Sequence, residues 1–132
     1  MRRKGRTITS LVVLSVLSLT AVTLTAHHSF DAEYDSSKTL TITGFVTKVD
    51  WVNPHAFVFV DSKDDKGLVR SFRIEMGPPY ALARSGWKKD TLKVGEKITI
   101  ENAALAKDGS NSAGSLPATS MTLTSGQKLV MR

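Results

Sequence analysis

The chain has 132 residues, no cysteine, and 18 basic against 12 acidic residues, for a net charge of +6. The absence of cysteine excludes disulfides, thiol catalysis and a lipid anchor on cysteine, so a folded domain must be stabilised by its core alone. This length suits one domain of modest size.

Residues 1–26 have the pattern of a secretory signal peptide. Four basic residues at positions 2, 3, 4 and 6 precede an apolar run from Leu11 to Leu24, and the small residue Ala26 follows. We expect cleavage after Ala26, which would make His27 the first residue of a periplasmic or secreted protein with no stable membrane insertion. The alternative is an uncleaved anchor, because roughly 17 apolar residues is the lower limit for spanning a bilayer.

The positive charge belongs largely to this signal. Four of the 18 basic residues and none of the 12 acidic residues lie in residues 1–26, so the remainder has 14 against 12, a net +2. Such a balance gives little support for a nucleic-acid interface, and we expect no nucleic-acid partner.

Residues 27–38 are mostly polar, and we expect an N-terminal arm that Phe30 and Tyr34 could attach to a domain at residues 39–132. The first predicted strand covers residues 39–51, where apolar residues alternate and then change parity after Val46. A strand changes face only through a bulge or a bend, and Gly44 suits strong curvature.

The segments "HAFVFVDS" and "LVRSFRIEM" predict two strands of a hairpin joined by the turn "KDDKG". The helix candidate is "GPPYALARSGW", because proline favours a first helical turn and Gly86 favours its end. A fourth strand is predicted at "KITIEN". A fifth is predicted at "ATSMTLT", after a long loop of small residues and before a turn at Ser125-Gly126 into a short final strand.

This order predicts an all-β fold with one short helix: a small OB-like (oligonucleotide/oligosaccharide-binding) β-barrel of five to six strands, after the N-terminal signal helix. The OB barrel is a five-stranded, partly open barrel, and a short helix between the third and fourth strands fits it. A sandwich of similar strand count is the alternative.

Five segments carry a resemblance to a known family: "AHHSF", "GFVTKVDWVNPHAF", "IEMGPPYALARSGW", "DTLKVGEKITI" and "AKDGSNSA". Together they resemble a family of small exported bacterial proteins known only as a domain of unknown function. The resemblance implies an exported location and an OB-like barrel, and it brings no established activity.

The three histidines are the candidate metal ligands: His27, His28 and His55. After cleavage at Ala26, the α-amine and imidazole of His27 could chelate one copper ion, and His28 or His55 could complete the site. Adjacent side chains of an extended strand point to opposite faces, so at most one of the pair should join His55. The alternative is that all three histidines are structural.

Four further residues form a possible ligand cleft or support a histidine: Trp51, Asn53, Glu75 and Trp87. Glu75 ends the third predicted strand, where it could hydrogen-bond the arm or orient a histidine. No nucleophile motif, phosphate loop or dinucleotide fingerprint is present, so no catalytic residue is predicted.

Two functional hypotheses follow. The first is an exported, non-catalytic β-barrel module that binds an unknown small ligand or an envelope protein and needs no cofactor. The second is a copper-binding protein that uses His27 or His28 together with His55.

Overall fold

The computed structural model describes residues 30–132 of the chain. It divides the chain into two units, residues 1–32 and 33–132, and all of the strands belong to the second. Residues 30–33 are helical. The predicted signal peptide, its cleavage site, His27 and His28 lie outside the described residues. No helix within residues 30–132 is long and apolar enough to cross a membrane.

The second unit contains six strands and one short helix. In chain order these elements are β1 (Tyr34–Asp50), β2 (Phe57–Lys63), β3 (Val69–Glu75), α1 (Pro79–Arg84), β4 (Lys97–Ala106), β5 (Ser112–Thr122) and β6 (Lys128–Val130). β1 begins at Tyr34, within the segment assigned to the N-terminal arm. β5 begins at Ser112, so the loop before it is shorter than predicted.

The strands form one sheet in the order β3-β2-β1-β4-β5-β6, and a further pairing of β3 with β5 closes five of them into a ring. All pairings are antiparallel except β3 with β5. α1 lies between β3 and β4, as predicted. The predicted class, mostly β with one short helix and a barrel-like sheet, is therefore confirmed.

β1 is the long, irregular strand that the sequence predicts, and it pairs with β2 on one side and β4 on the other. Its register with β2 shifts between Val46 and Lys48, where the apolar parity changes. Two further shifts, between Asp35 and Thr39 and between Leu40 and Ile42, lie in its pairing with β4. Such bulges bend a strand and increase its twist, which lets β1 take part in a closed ring.

The core fills the interior of the ring. In the first half of β2, where residues 57–60 are all apolar, Val58 and Val60 are buried while Phe57 and Phe59 are half-buried. From α1, Leu82 is fully buried in the same cluster. Trp87 is also buried, and its indole Nε1 donates to the carbonyl oxygen of Val130 at 2.6 Å.

At Gly44, β1 lies close against β2. A Cβ atom at this position would lie 2.2 Å from the carbonyl oxygen of Asp61 and 2.8 Å from a side-chain carbon of Val60. Because the first obstacle is backbone, it cannot move aside without disturbing the pairing of the two strands.

We expect Gly44→Ala to lower the free energy of unfolding by about 3 kcal/mol, the upper part of the range for overpacking a well-packed site. Chemical denaturation followed by circular dichroism measures the change. Gly67→Ala is the matched control, since Gly67 has φ +76° but no atom near its added Cβ. It should cost only about 1 kcal/mol for the strained backbone. Equal losses in the two variants would show that the close approach at Gly44 is not a constraint.

Candidate functional site

The candidate site is a cluster of three side chains around the carboxylate of Glu75. Nδ1 of His55 contacts Oε1 of Glu75, and the hydroxyl of Tyr34 donates to Oε2 at 2.9 Å. The sequence suggested that Glu75 could hydrogen-bond the arm or orient a histidine. The structure places it to do both at once.

Each member comes from a different element. His55 lies between Pro54 and the start of β2, and Tyr34 is the first residue of β1. Glu75 is the last residue of β3, where it pairs with Phe57 of β2 and Gly114 of β5. Its carbonyl oxygen also accepts a hydrogen bond from Ser115 Oγ at 2.7 Å. The backbone that carries the carboxylate is thus held from both sides.

Tyr34 is the buried member of the cluster, with 1% of its surface exposed. Burial raises the pKa of its phenol well above the ordinary value of 10, and the hydrogen bond to Glu75 and the negative charge of that carboxylate raise it further. Tyr34 therefore stays protonated and acts as a permanent hydrogen-bond donor.

His55 is the accessible member. Its side chain is 42% exposed, whereas that of Glu75 is only 13% exposed. An ionised carboxylate can only accept, so Nδ1 carries a proton in this contact. In a neutral ring, Nε2 is then the unprotonated nitrogen, and it makes no hydrogen bond to any residue in the range 30–132. The cluster therefore offers the lone pair of His55 Nε2, on an imidazole ring whose other nitrogen contacts the carboxylate of Glu75.

The remaining candidate residues differ in their relation to this cluster. Asn53 is exposed in the same loop as His55, and Trp51 is half-buried against the core. Trp87 is a core residue whose polar contact is with β6 rather than with Glu75. Beside the cluster, the guanidinium of Arg73 lies 3.9 Å from the centre of the Phe57 ring.

The described residues do not supply a complete metal site. Within residues 30–132, no three His, Asp or Glu side chains are grouped closely enough to hold an ion. A copper site with His27 or His28 therefore stays a prediction, because both residues lie outside that range.

The bond from Tyr34 to Glu75 was not predicted. Tyr34 is an isolated aromatic residue in a polar segment, and this signal was sufficient to suggest that it attaches the arm. It could not identify a partner 41 residues away, because that partner is set by closure of the ring.

The fold and the cluster define a small β-rich domain with a barrel-like sheet and a carboxylate-held histidine near its surface. The chain belongs to a family of unknown function, DUF6152, which it matches over residues 14–115. No curated protein and no solved structure shows a significant match to the chain.

We expect Tyr34→Phe to lower the free energy of unfolding near pH 7 by about 1–2 kcal/mol, since Glu75 loses a buried donor. The difference from the wild type should shrink as pH rises from about 9 to 11. The unfolded chain releases the Tyr34 proton near pH 10, while the folded chain, with its raised pKa, retains it, so rising pH stabilises the unfolded wild type only.

Urea unfolding curves of both proteins at several pH values measure this difference. The comparison removes the contribution of the lysines, which titrate in the same range in both proteins. A difference that stays constant from pH 8 to about pH 11 would contradict the burial of Tyr34 as a protonated donor.

Proposed function

We propose that this protein is an exported, non-catalytic binding module that binds a divalent transition-metal ion through Nε2 of His55. Copper(II) is the expected ion, because imidazole sites follow the usual order in which copper(II) binds more tightly than zinc(II). The observation that carries this proposal is the contact between Nδ1 of His55 and the carboxylate of Glu75.

That contact supports metal binding for a chemical reason. A histidine that ligates a metal through one ring nitrogen almost always donates its other N–H to a carboxylate, a carbonyl or a water molecule. The second interaction fixes the tautomer and the ring orientation, and it makes the ligating nitrogen more basic. Glu75 meets this requirement, and Tyr34 and the pairing of β3 hold Glu75 in turn.

One imidazole does not hold an ion alone, so further ligands are needed. We propose that His27 or His28 supplies them, as the sequence predicts. Cleavage after Ala26 would leave His27 with a free α-amine beside its imidazole, and these two groups can chelate copper(II). This part of the proposal rests on the sequence alone.

The second candidate function is a module that binds a small organic ligand or an envelope protein, with His55 in a structural role. The half-buried rings of Phe57 and Phe59, which lie beside Arg73 and Lys48, favour it. The two candidates differ in what His55→Ala does. It abolishes metal binding in the first case and leaves ligand binding intact in the second.

Calorimetric titration of the protein starting at His27 should show copper(II) binding that is tighter than zinc(II) binding. His55→Ala should abolish the copper site, and Glu75→Gln should weaken it by about tenfold, the lower effect expected for loss of a residue that orients a ligand. Glu101→Gln is the matched control, since Glu101 is a half-exposed carboxylate that pairs with Lys128.

An extra alanine before His27 tests the N-terminal ligands separately. It should weaken copper binding and leave the unfolding midpoint unchanged, because the α-amine is displaced while the domain is untouched. Copper binding that is the same in the wild type, His55→Ala and the extended protein would overturn the metal proposal.

The export proposal has its own test. Intact-mass measurement on protein purified from the cell envelope should give the mass of a chain that begins at His27. A mature protein that retains Met1 would refute cleavage and favour an N-terminal anchor.

A further inference from the structure

A groove of about 440 Å³ lies where β3 begins and β4 ends, next to the loop that leads into β5. It is formed by the start of β1, the start of β3, the end of β4 and residues 107–111. None of the residues of the Glu75 cluster lines it. Its chemistry can therefore be considered independently of the proposed metal site.

The groove is basic. Lys38 of β1, Arg70 of β3 and Lys107 of the loop after β4 line it, and among its lining residues within 30–132 Asp35 is the only carboxylate. The hydrogen bonds from Ser37 lower the pKa of Asp35, which is therefore ionised, and the lining carries a net charge of +2 at neutral pH.

Two of these cations, Lys38 and Arg70, are only weakly neutralised by neighbouring carboxylates. Lys38 Nζ lies 3.3 Å from Asp35 Oδ2, and Arg70 Nε lies 3.6 Å from Asp64 Oδ2. The side chains of Lys38 and Arg70 are 71% and 58% exposed, and exposed pairs of this kind contribute little to stability. An anion with better geometry can therefore displace the present partners at small cost.

The groove also has an apolar part. Leu40 and Phe72 line it and pack against the core, where both are only partly buried. A ligand that fits this surface carries an apolar or ring-shaped body as well as a negative charge.

The loop at the rim is held in place. The backbone N–H of Lys107 donates to the carbonyl oxygen of Glu33 at 2.9 Å, and that of Arg73 donates to the carbonyl oxygen of Asn111 at 3.0 Å. Within the loop, the N–H of Ser110 donates to the side chain of Asp108 at 2.8 Å. A rim with these bonds loses little conformational entropy when a ligand binds.

We infer that this groove is a second ligand site, which binds a small organic anion with a carboxylate or phosphate group on an apolar or ring-shaped body. Lys38, Arg70 and Lys107 bind the charged group, and the planar guanidinium of Arg70 can form paired hydrogen bonds with either one. Leu40 and Phe72 contact the body of the ligand. This site needs no metal and does not depend on the proposed function.

The test uses three probes of similar size: phenyl phosphate, benzoate and the neutral benzyl alcohol. Protein stripped of metal with EDTA is titrated with each, and binding is followed by amide chemical shifts in NMR spectra. At least one anion should bind saturably, with a dissociation constant of about 1 mM or tighter. Benzyl alcohol should bind at least about tenfold more weakly. The stronger of the two anions distinguishes a phosphate site from a carboxylate site.

Variants locate the site. Arg70→Gln should weaken anion binding by about tenfold, because a charge-assisted hydrogen bond is lost. Lys89→Gln removes an exposed charge outside the groove and should change nothing. His55→Ala should bind the anions like the wild type, which separates this result from that of the metal titration.

Three results would overturn the inference. One is the absence of saturable binding of either anion up to about 10 mM. The others are equal binding of the neutral probe, and an equal loss of affinity in the Arg70 and Lys89 variants.

Discussion

Ring closure in this domain is made by the pairing of β3 with β5. This pairing joins Arg73, Ile74 and Glu75 to Ser112, Ala113 and Gly114, and it closes the sheet into a ring. A parallel ladder of three pairs is weak by itself. It forms because β1 bends enough to pair on both sides, and the two free edges of a five-stranded sheet then meet.

Closure of the ring positions both the Glu75 cluster and the basic groove. At one end of the β3–β5 ladder, Glu75 contacts Tyr34 from the start of β1 and His55 from the loop before β2. At the other end, the N–H of Arg73 donates to the carbonyl oxygen of Asn111, which lines the basic groove. A change that loosened the ladder would alter both regions together.

The Glu75 cluster is a polar network at the edge of an otherwise apolar core. Partly buried carboxylates are costly unless their oxygens have polar partners, and here Oε2 accepts a hydrogen bond from Tyr34 while Oε1 contacts Nδ1 of His55. No side-chain nitrogen or oxygen buried within residues 30–132 lacks a partner. The network therefore contacts His55 without leaving an unsatisfied side-chain group in the core of residues 30–132.

Local sequence patterns predict the chain order of the strands, the parity change after Val46 and the position of α1. These features depend on local periodicity, turn residues and backbone freedom, and each of these can be read from residues close together in the chain. The sequence also singled out Glu75 and His55. The three-dimensional contacts show three things that the sequence does not: Tyr34 joins these two residues, Trp87 is a core residue, and three cations far apart in the chain line one groove. Those contacts join segments that are far apart in the chain and become neighbours only when the sheet closes into a ring. A local sequence pattern does not indicate which distant segments will meet.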